Sequence, residues 1–359
     1  VATTPFAGVA YGQAQKAPAA APVKPALPPS KALLATTAPE EWIVYEDTTY
    51  MPVVDPVSRH LYAARKAFDA KDDKTAAKDL RAVAQELHAL SAQATRISRS
   101  DSKAEIRLAR DSAKRIERAS RKVSAAAAAL EAGRITTRAE LDKAIDKATR
   151  ADMERRWLVT DVATRYPLTD EPQRHFAGAV AAFGGKDYKA AAIDIRKATG
   201  YMRLESARAT GEARQELDRS VAQLDRLATS VEKGAVKDEK TMDKAFANAN
   251  HALALEHRAN AAESWARKEY DQAGDELKAA AKGLASGSGW VSAQAQADAS
   301  ATVAETDALG DKLASGATWT RDEVAKDFAS LGNSIDALGQ KAGSSAKAPP
   351  VKVGAAGRA

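Results

Sequence analysis

One stretch of this chain occurs three times, and that recurrence constrains the fold more than any single motif. Residues 59–81 read RHLYAARKAFDAKDDKTAAKDLR, 174–196 read RHFAGAVAAFGGKDYKAAAIDIR, and 256–278 read EHRANAAESWARKEYDQAGDELK. Aligning Phe68, Phe183 and Trp265 brings His60, His175 and His257 into one column. Lys71-Asp72, Lys186-Asp187 and Lys268-Glu269 fall into a second. The correspondence continues to Gly133, Gly234 and Gly316, and beyond them to Leu141, Met242 and Val324. From the aromatic to the glycine is 51 positions in the second and third copies and 65 in the first. The 14-residue excess is two heptads. An antiparallel helix pair absorbs it without shifting its buried seam if each partner gains one heptad.

The apolar residues recur at helical spacing. In the first copy Leu80, Val83, Leu87, Leu90, Ala94 and Ile97 alternate steps of three and four. So do Ile106, Ala109, Ala113, Ile116, Ser120, Val123, Ala127 and Leu130. Leu217, Val221, Leu224, Ala228 and Val231 keep the seam in the second copy, and Val303, Thr306, Gly310 and Leu313 keep it more weakly in the third. Such a seam predicts antiparallel bundle packing. Its alanines and glycines let helices approach closely, but each buries little area at roughly 25 cal/mol per Å². Stability must then come from length. The expected fold is all-α: an elongated antiparallel helical bundle built from three internal repeats, with a short N-terminal β-hairpin-like segment and Pro-rich tails.

Taken in order, residues 1–41 read as an export-signal remnant followed by an Ala/Pro-rich linker. The small-x-small triplet Gly12-Gln13-Ala14 resembles a cleavage site. Residues 42–55 hold the only strand-like pattern, with Glu46-Asp47-Thr48 as a turn and Pro52 confining the second arm to an edge. Residues 56–166 form helical unit 1, where Thr137 and Glu140 spell a capping box and Ser98 to Asp101 caps a third helix. The proline-bearing break at 165–172 separates this unit from 167–341, units 2 and 3 fused by a helix running from about Asp238 to Lys268. Ser286-Gly287-Ser288-Gly289 reads as an internal hinge, and 342–359 as a disordered basic tail.

Several residues resemble a known family. A Trp-Ile-Val-Tyr segment at Trp42 precedes a proline-started helix, and Lys71, Asp72, Lys74, Ala77, Leu80 and Arg81 follow in the pattern KDxKxxAxxLR. This order is similar to the YfdX family of bacterial exported stress proteins, over about 42–100 and again over 250–285. The resemblance implies an exported helical protein associated with acid, heat or envelope stress, with no established reaction. The chain departs from that family in its length, its third unit and its Pro-rich tails.

The chemistry of the side chains narrows the function. The absence of cysteine excludes disulfides and thiolate chemistry. No phosphate loop, nucleophile elbow or HExxH is present, so no catalytic residue and no cofactor is expected. A net charge of +6 is a mild surplus, which makes nucleic acid an unfavoured partner. Arg107, Arg110, Lys114, Arg118 and Arg121 form an interrupted basic strip suited to weak contact with an anionic surface. Each column histidine (His60, His175, His257) lies eight residues before its aromatic, within about 80° on one helical face. They are candidate pH sensors, since histidine titrates between about pH 5 and 8. The bland alternative is a helix-boundary residue copied by duplication. No metal site is expected, because no ligand recurs at i+4 in all three copies. The pairs Asp111–Arg115, Glu117–Arg121 and Asp146–Arg150 read as solvated helix faces, and the five tryptophans as packing anchors. The expectation is a non-enzymatic exported scaffold or binding protein of the bacterial envelope, periplasmic or extracellular, that self-associates or holds an envelope partner. The alternatives are a pH-responsive holdase-like or small-ligand-binding stress protein, and a polyanion- or nucleic-acid-binding protein.

Overall fold

A computed structural model describes residues 41–97, 103–158, 168–351 and 353. The expected export segment, nearly all of the first linker, the Ser98 to Asp101 cap and the start of the 165–172 break lie outside the described residues. Among the described residues two strands, β1 (Trp42–Val44) and β2 (Tyr50–Pro52), precede twelve helices. These are α1 (Pro56–Asp69), α2 (Asp73–Ile97), α3 (Lys103–Glu131), α4 (Arg138–Ala144), α5 (Lys147–Glu154) and α6 (Asp170–Gly184). Then follow α7 (Tyr188–Arg208), α8 (Gly211–Glu232), α9 (Glu239–Ala266), α10 (Tyr270–Val291), α11 (Ala293–Ala314) and α12 (Arg321–Ala342). A 3-10 turn, Arg155–Leu158, closes α5. The protein is an all-α bundle with one small antiparallel hairpin. No helix among the described residues is long and apolar enough to cross a membrane.

Local sequence accounts for the element ends. Asp55 caps α1 with Ser58, Thr137 caps α4 with Glu140, and Thr320 caps α12 with Glu323, each through a reciprocal capping box. Three hairpins turn in the same way. Lys71, Lys186 and Lys268 all take a left-handed φ of 63–64°. Their amides donate to the carbonyls of Phe68, Phe183 and Trp265, and the next residue's amide donates one position further back, to Ala67, Ala182 and Ser264. Gly133, Gly234 and Gly316 end their helices through the same pair of bonds at φ of 64–69°. Of the fourteen residues added to the first copy, four lengthen α2 and seven lengthen α3: these have 25 and 29 residues, against 21 and 22 in α7 and α8.

The seam residues are the core. Leu80, Val83, Leu87, Ile116, Val123 and Ala127 are fully buried, with Ile43, Met51 and Leu141 closing the same cluster. A second core joins α6, α7, α8 and the first half of α9 around Phe176, Leu217, Leu224 and Phe246. A third joins the second half of α9 to α10, α11 and α12 around Trp265, Leu277, Phe328 and Leu331. One unbroken helix therefore serves two cores in succession. The hairpin is packed rather than free. Tyr45 lies between the guanidinium groups of Arg65 and Arg150, and Arg150 holds Asp47 at 2.7 Å. On the other side Tyr50 rests on α7, where a Cβ at Gly200 would stand 2.6 Å from its carbonyl oxygen.

Three expectations need correction. Residues 286–289 are not a hinge; they lie inside α10, and a Cβ at Gly287 would stand 2.7 Å from Leu338 Cδ2 and 2.9 Å from Asn250 Cβ. Small residues there let α9 and α12 close on α10. The tail after α12 is not free either. Ala346 and Val353 are buried in the third core, Pro349 accepts from Arg258 Nη1 at 2.8 Å, and Val353 accepts from Arg321 Nε at 2.9 Å. Finally, Glu117, Arg150 and Asp146 bond to partners other than their i,i+4 neighbours. Glu117 pairs with His88, Arg150 with Asp47, and Asp146 caps α5 through Thr149.

Candidate functional site

Each column histidine pins the first helix of an α-hairpin to the second, eleven residues before the lysine turn. His60 Nδ1 meets Asp79 at 3.1 Å, His175 Nδ1 meets Asp194 at 3.0 Å, and His257 Nδ1 meets Glu276 at 2.8 Å. The carboxylate is 19 residues on in every case, on the next helix. Burial rises along the chain, from 42% side-chain exposure at His60 to 6% at His175 and 0% at His257. Trp42 stands edge-on to His175 at 5.6 Å between ring centroids, so the hairpin covers the second member of the column.

Around His257 the carboxylates accumulate. Glu205 and Arg208 come from one face of α7, Glu256, His257 and Asn260 from α9, and Glu276 from α10. Glu205, Glu256 and His257 are fully buried, and Glu276 nearly so. One oxygen of each acid is occupied. Glu205 Oε1 accepts from Leu168 N at 3.1 Å, Glu256 Oε1 from the Asn260 amide, and Glu276 Oε1 from Arg208 Nη2 at 3.3 Å. The other oxygens turn inward. Glu256 Oε2 lies 3.1 Å from His257 Nδ1, and Glu205 Oε2 lies 3.5 Å from Arg208 Nη1. Neither makes a hydrogen bond, nor does His257 Nε2.

Burial opposes the charged form of the His257 imidazole. The Glu256 charge and the Glu276 hydrogen bond and charge outweigh it, so its pKa is raised to about 9. Burial in turn pushes the Glu256 carboxyl up, against the pull of His257. Titration between pH 5 and 8, expected of the whole column, therefore does not hold for His257.

A further buried histidine lies outside the column. His251 is fully buried and neither ring nitrogen has a hydrogen-bond partner. Its Nδ1 is 3.9 Å from Glu216 Oε1 on α8, and its ring fills the space that a Cβ at Gly339 of α12 would need. Burial lowers its pKa, with Glu216 and Asp336 raising it in part and Lys347 adding to the fall. Nearby, Gln173 and Asn250 bond to each other, and Trp290 Nε1 donates to Gln173 at 3.1 Å.

The basic strip is exposed on α3: Arg107, Arg110, Lys114, Arg118 and Arg121 all face solvent, and Arg118 reaches Asp152 at 3.7 Å. The strip lies on α3, whereas the histidine column lies on α1, α6 and α9. The Glu205–Arg208–Glu256–Glu276 cluster was not legible as a site, because its donors come from three helices. One signal was present. Glu256 stands where Arg59 and Arg174 precede the other two histidines, a reversal of charge in an otherwise shared column. No family model, no curated protein and no solved structure matches this chain.

Proposed function

We propose that this protein is a non-enzymatic helical scaffold or binding protein, exported to the bacterial cell envelope and self-associating. Its body is an elongated array of three copies of one helical module, the last two sharing α9. The observation that carries this reading is the use made of the recurring polar residues. Each column histidine binds an acid of the adjoining helix, which closes a hairpin. Each lysine turn sets the angle of that hairpin. Residues repeated for architecture mark a protein whose surface, rather than a cleft, meets its partners. The resemblance to the YfdX family supports export and a link to stress. Light scattering with small-angle scattering tests the proposal. The expected result is one extended species at a fixed multiple of the chain mass, independent of concentration over tenfold dilution. A compact monomer at every concentration discards it.

A second reading, a pH-responsive holdase-like stress protein, is favoured by His251. The folded state holds this imidazole neutral, whereas the unfolded chain protonates it below about pH 6.5. The unfolded state then binds more protons, so stability falls as pH drops from about 6.5 towards the lower folded-state value. The expected outcome is a urea midpoint that declines, with rising hydrophobic-dye binding, between pH 7 and pH 5. His251→Met flattens that slope. A wild-type profile as flat as the variant's removes this reading.

A further inference from the structure

We propose that Glu205, Glu256 and His257 form a binding site for one divalent transition cation of the zinc type, which ties α7 to α9 and, through Glu276, to α10. One donor atom of each residue lies within 4.8 Å of the other two. Tetrahedral zinc with bonds of about 2.0–2.2 Å needs donors about 3.3–3.6 Å apart, so small side-chain rotations close the set. Each of the three brings a buried atom that no hydrogen bond satisfies: Glu205 Oε2, Glu256 Oε2 and His257 Nε2. Buried polar atoms are normally hydrogen-bonded. Here Glu205 Oε2 has only the ion-pair contact of Arg208 at 3.5 Å and Glu256 Oε2 only that of the His257 ring at 3.1 Å, which leaves their lone pairs for a ligand.

The surroundings fit a cation. Glu276 holds His257 Nδ1 at 2.8 Å, the carboxylate–histidine arrangement that orients an imidazole for a metal through its other nitrogen. Leu168 N and Asn260 fix the outer oxygens of Glu205 and Glu256, which orients the inner ones. Formal charge agrees. Three carboxylates face the Arg208 guanidinium and the protonated His257 ring, which leaves one negative charge. A divalent cation that displaces the His257 proton brings the sum to zero in a place where uncompensated charge is costly. A mixed imidazole and carboxylate set favours zinc or a similar transition ion over magnesium, which prefers oxygen and keeps its waters.

The test uses the untagged full chain, stripped of metal and titrated with Zn²⁺ against a chromophoric chelator. The expected result is one ion per chain, with a dissociation constant of about a micromolar or tighter. Thermal unfolding should shift upward with Zn²⁺ and stay put with Mg²⁺. Glu205→Gln and Glu256→Gln, which keep the outer hydrogen bonds, should each weaken binding more than about tenfold, and Glu276→Gln by about 10–100-fold. His60→Ala, at the exposed end of the column, should bind as wild type. Absence of stoichiometric binding, wild-type affinity in both Glu205→Gln and Glu256→Gln, or a preference for Mg²⁺ overturns the proposal. X-ray absorption of the wild-type complex gives a readout that needs no variant to fold. One imidazole in the shell supports the site, and two or more place the ion elsewhere and overturn it.

Discussion

Replacing Arg156 with alanine is expected to destabilise the protein by about 3–5 kcal/mol, the cost of leaving one partner of a buried ion pair alone. Arg156 is wholly buried. Its Nε donates to Asp55 Oδ2 at 2.7 Å, Nη2 to Oδ1 at 3.2 Å, and Nη1 to the Met153 carbonyl at 2.8 Å. Asp55 is also the N-cap of α1, so the pair fixes the start of that helix against the turn after α5. Burial raises the Asp55 pKa, but Arg156 and Ser58 outweigh it and hold the carboxyl below its ordinary range. The stabilisation is thus complete above about pH 4 and is lost as pH falls through the depressed folded-state value. Urea unfolding at pH 7 and pH 3 measures both effects. The double variant Asp55→Asn with Arg156→Met should recover much of the loss, because a buried pair often breaks even against apolar groups. If Arg156→Ala costs no more than a surface change, the pair does not hold α1.

The same chemical change should have opposite signs at two glycines. At Gly274 of α10 a Cβ would run into the Gly310 carbonyl, stand 2.9 Å from Ala314 N and 3.0 Å from Leu313 Cβ. Those are backbone neighbours of α11 that cannot swing aside, so Gly274→Ala must push two helices apart, at about 1–3 kcal/mol. At Gly184 of α6 nothing lies within 4 Å. Gly184→Ala should there stabilise by about 0.5–1 kcal/mol by restricting the unfolded chain. Paired Tm measurements decide it, and a stabilising Gly274→Ala would show that α10 and α11 are not in close contact.

How far these features could be read beforehand depends on how local they are. The seam from Leu80 to Ala94 and from Ala109 to Leu130 was visible because helical burial repeats every three or four residues. The Thr137–Glu140 box was visible because both halves lie three residues apart. The strand pair was visible from β-branched and aromatic residues around a short turn. The SGSG stretch misled because Gly287 answers to Leu338 and Asn250, far away in sequence, and not to a bend. The tail misled for a similar reason. Its proline and alanine content resembles that of a free linker, but Arg258 and Arg321 supply donors for its carbonyls.

The candidate site divides in the same way. His257 could be singled out by its column, and its neighbour Glu256 by the charge reversal at that place. Glu205 and Arg208 carried no such mark, and neither did His251. What the sequence determined by itself was periodic: where helices run, which stripe of each is apolar, and how each begins and ends. Those choices rest on contacts between residues a few positions apart. Only the tertiary structure decided which charged groups lose their water. That outcome is set by the joint position of α7, α9 and α10, and the cost of burying a charge depends on every neighbour at once.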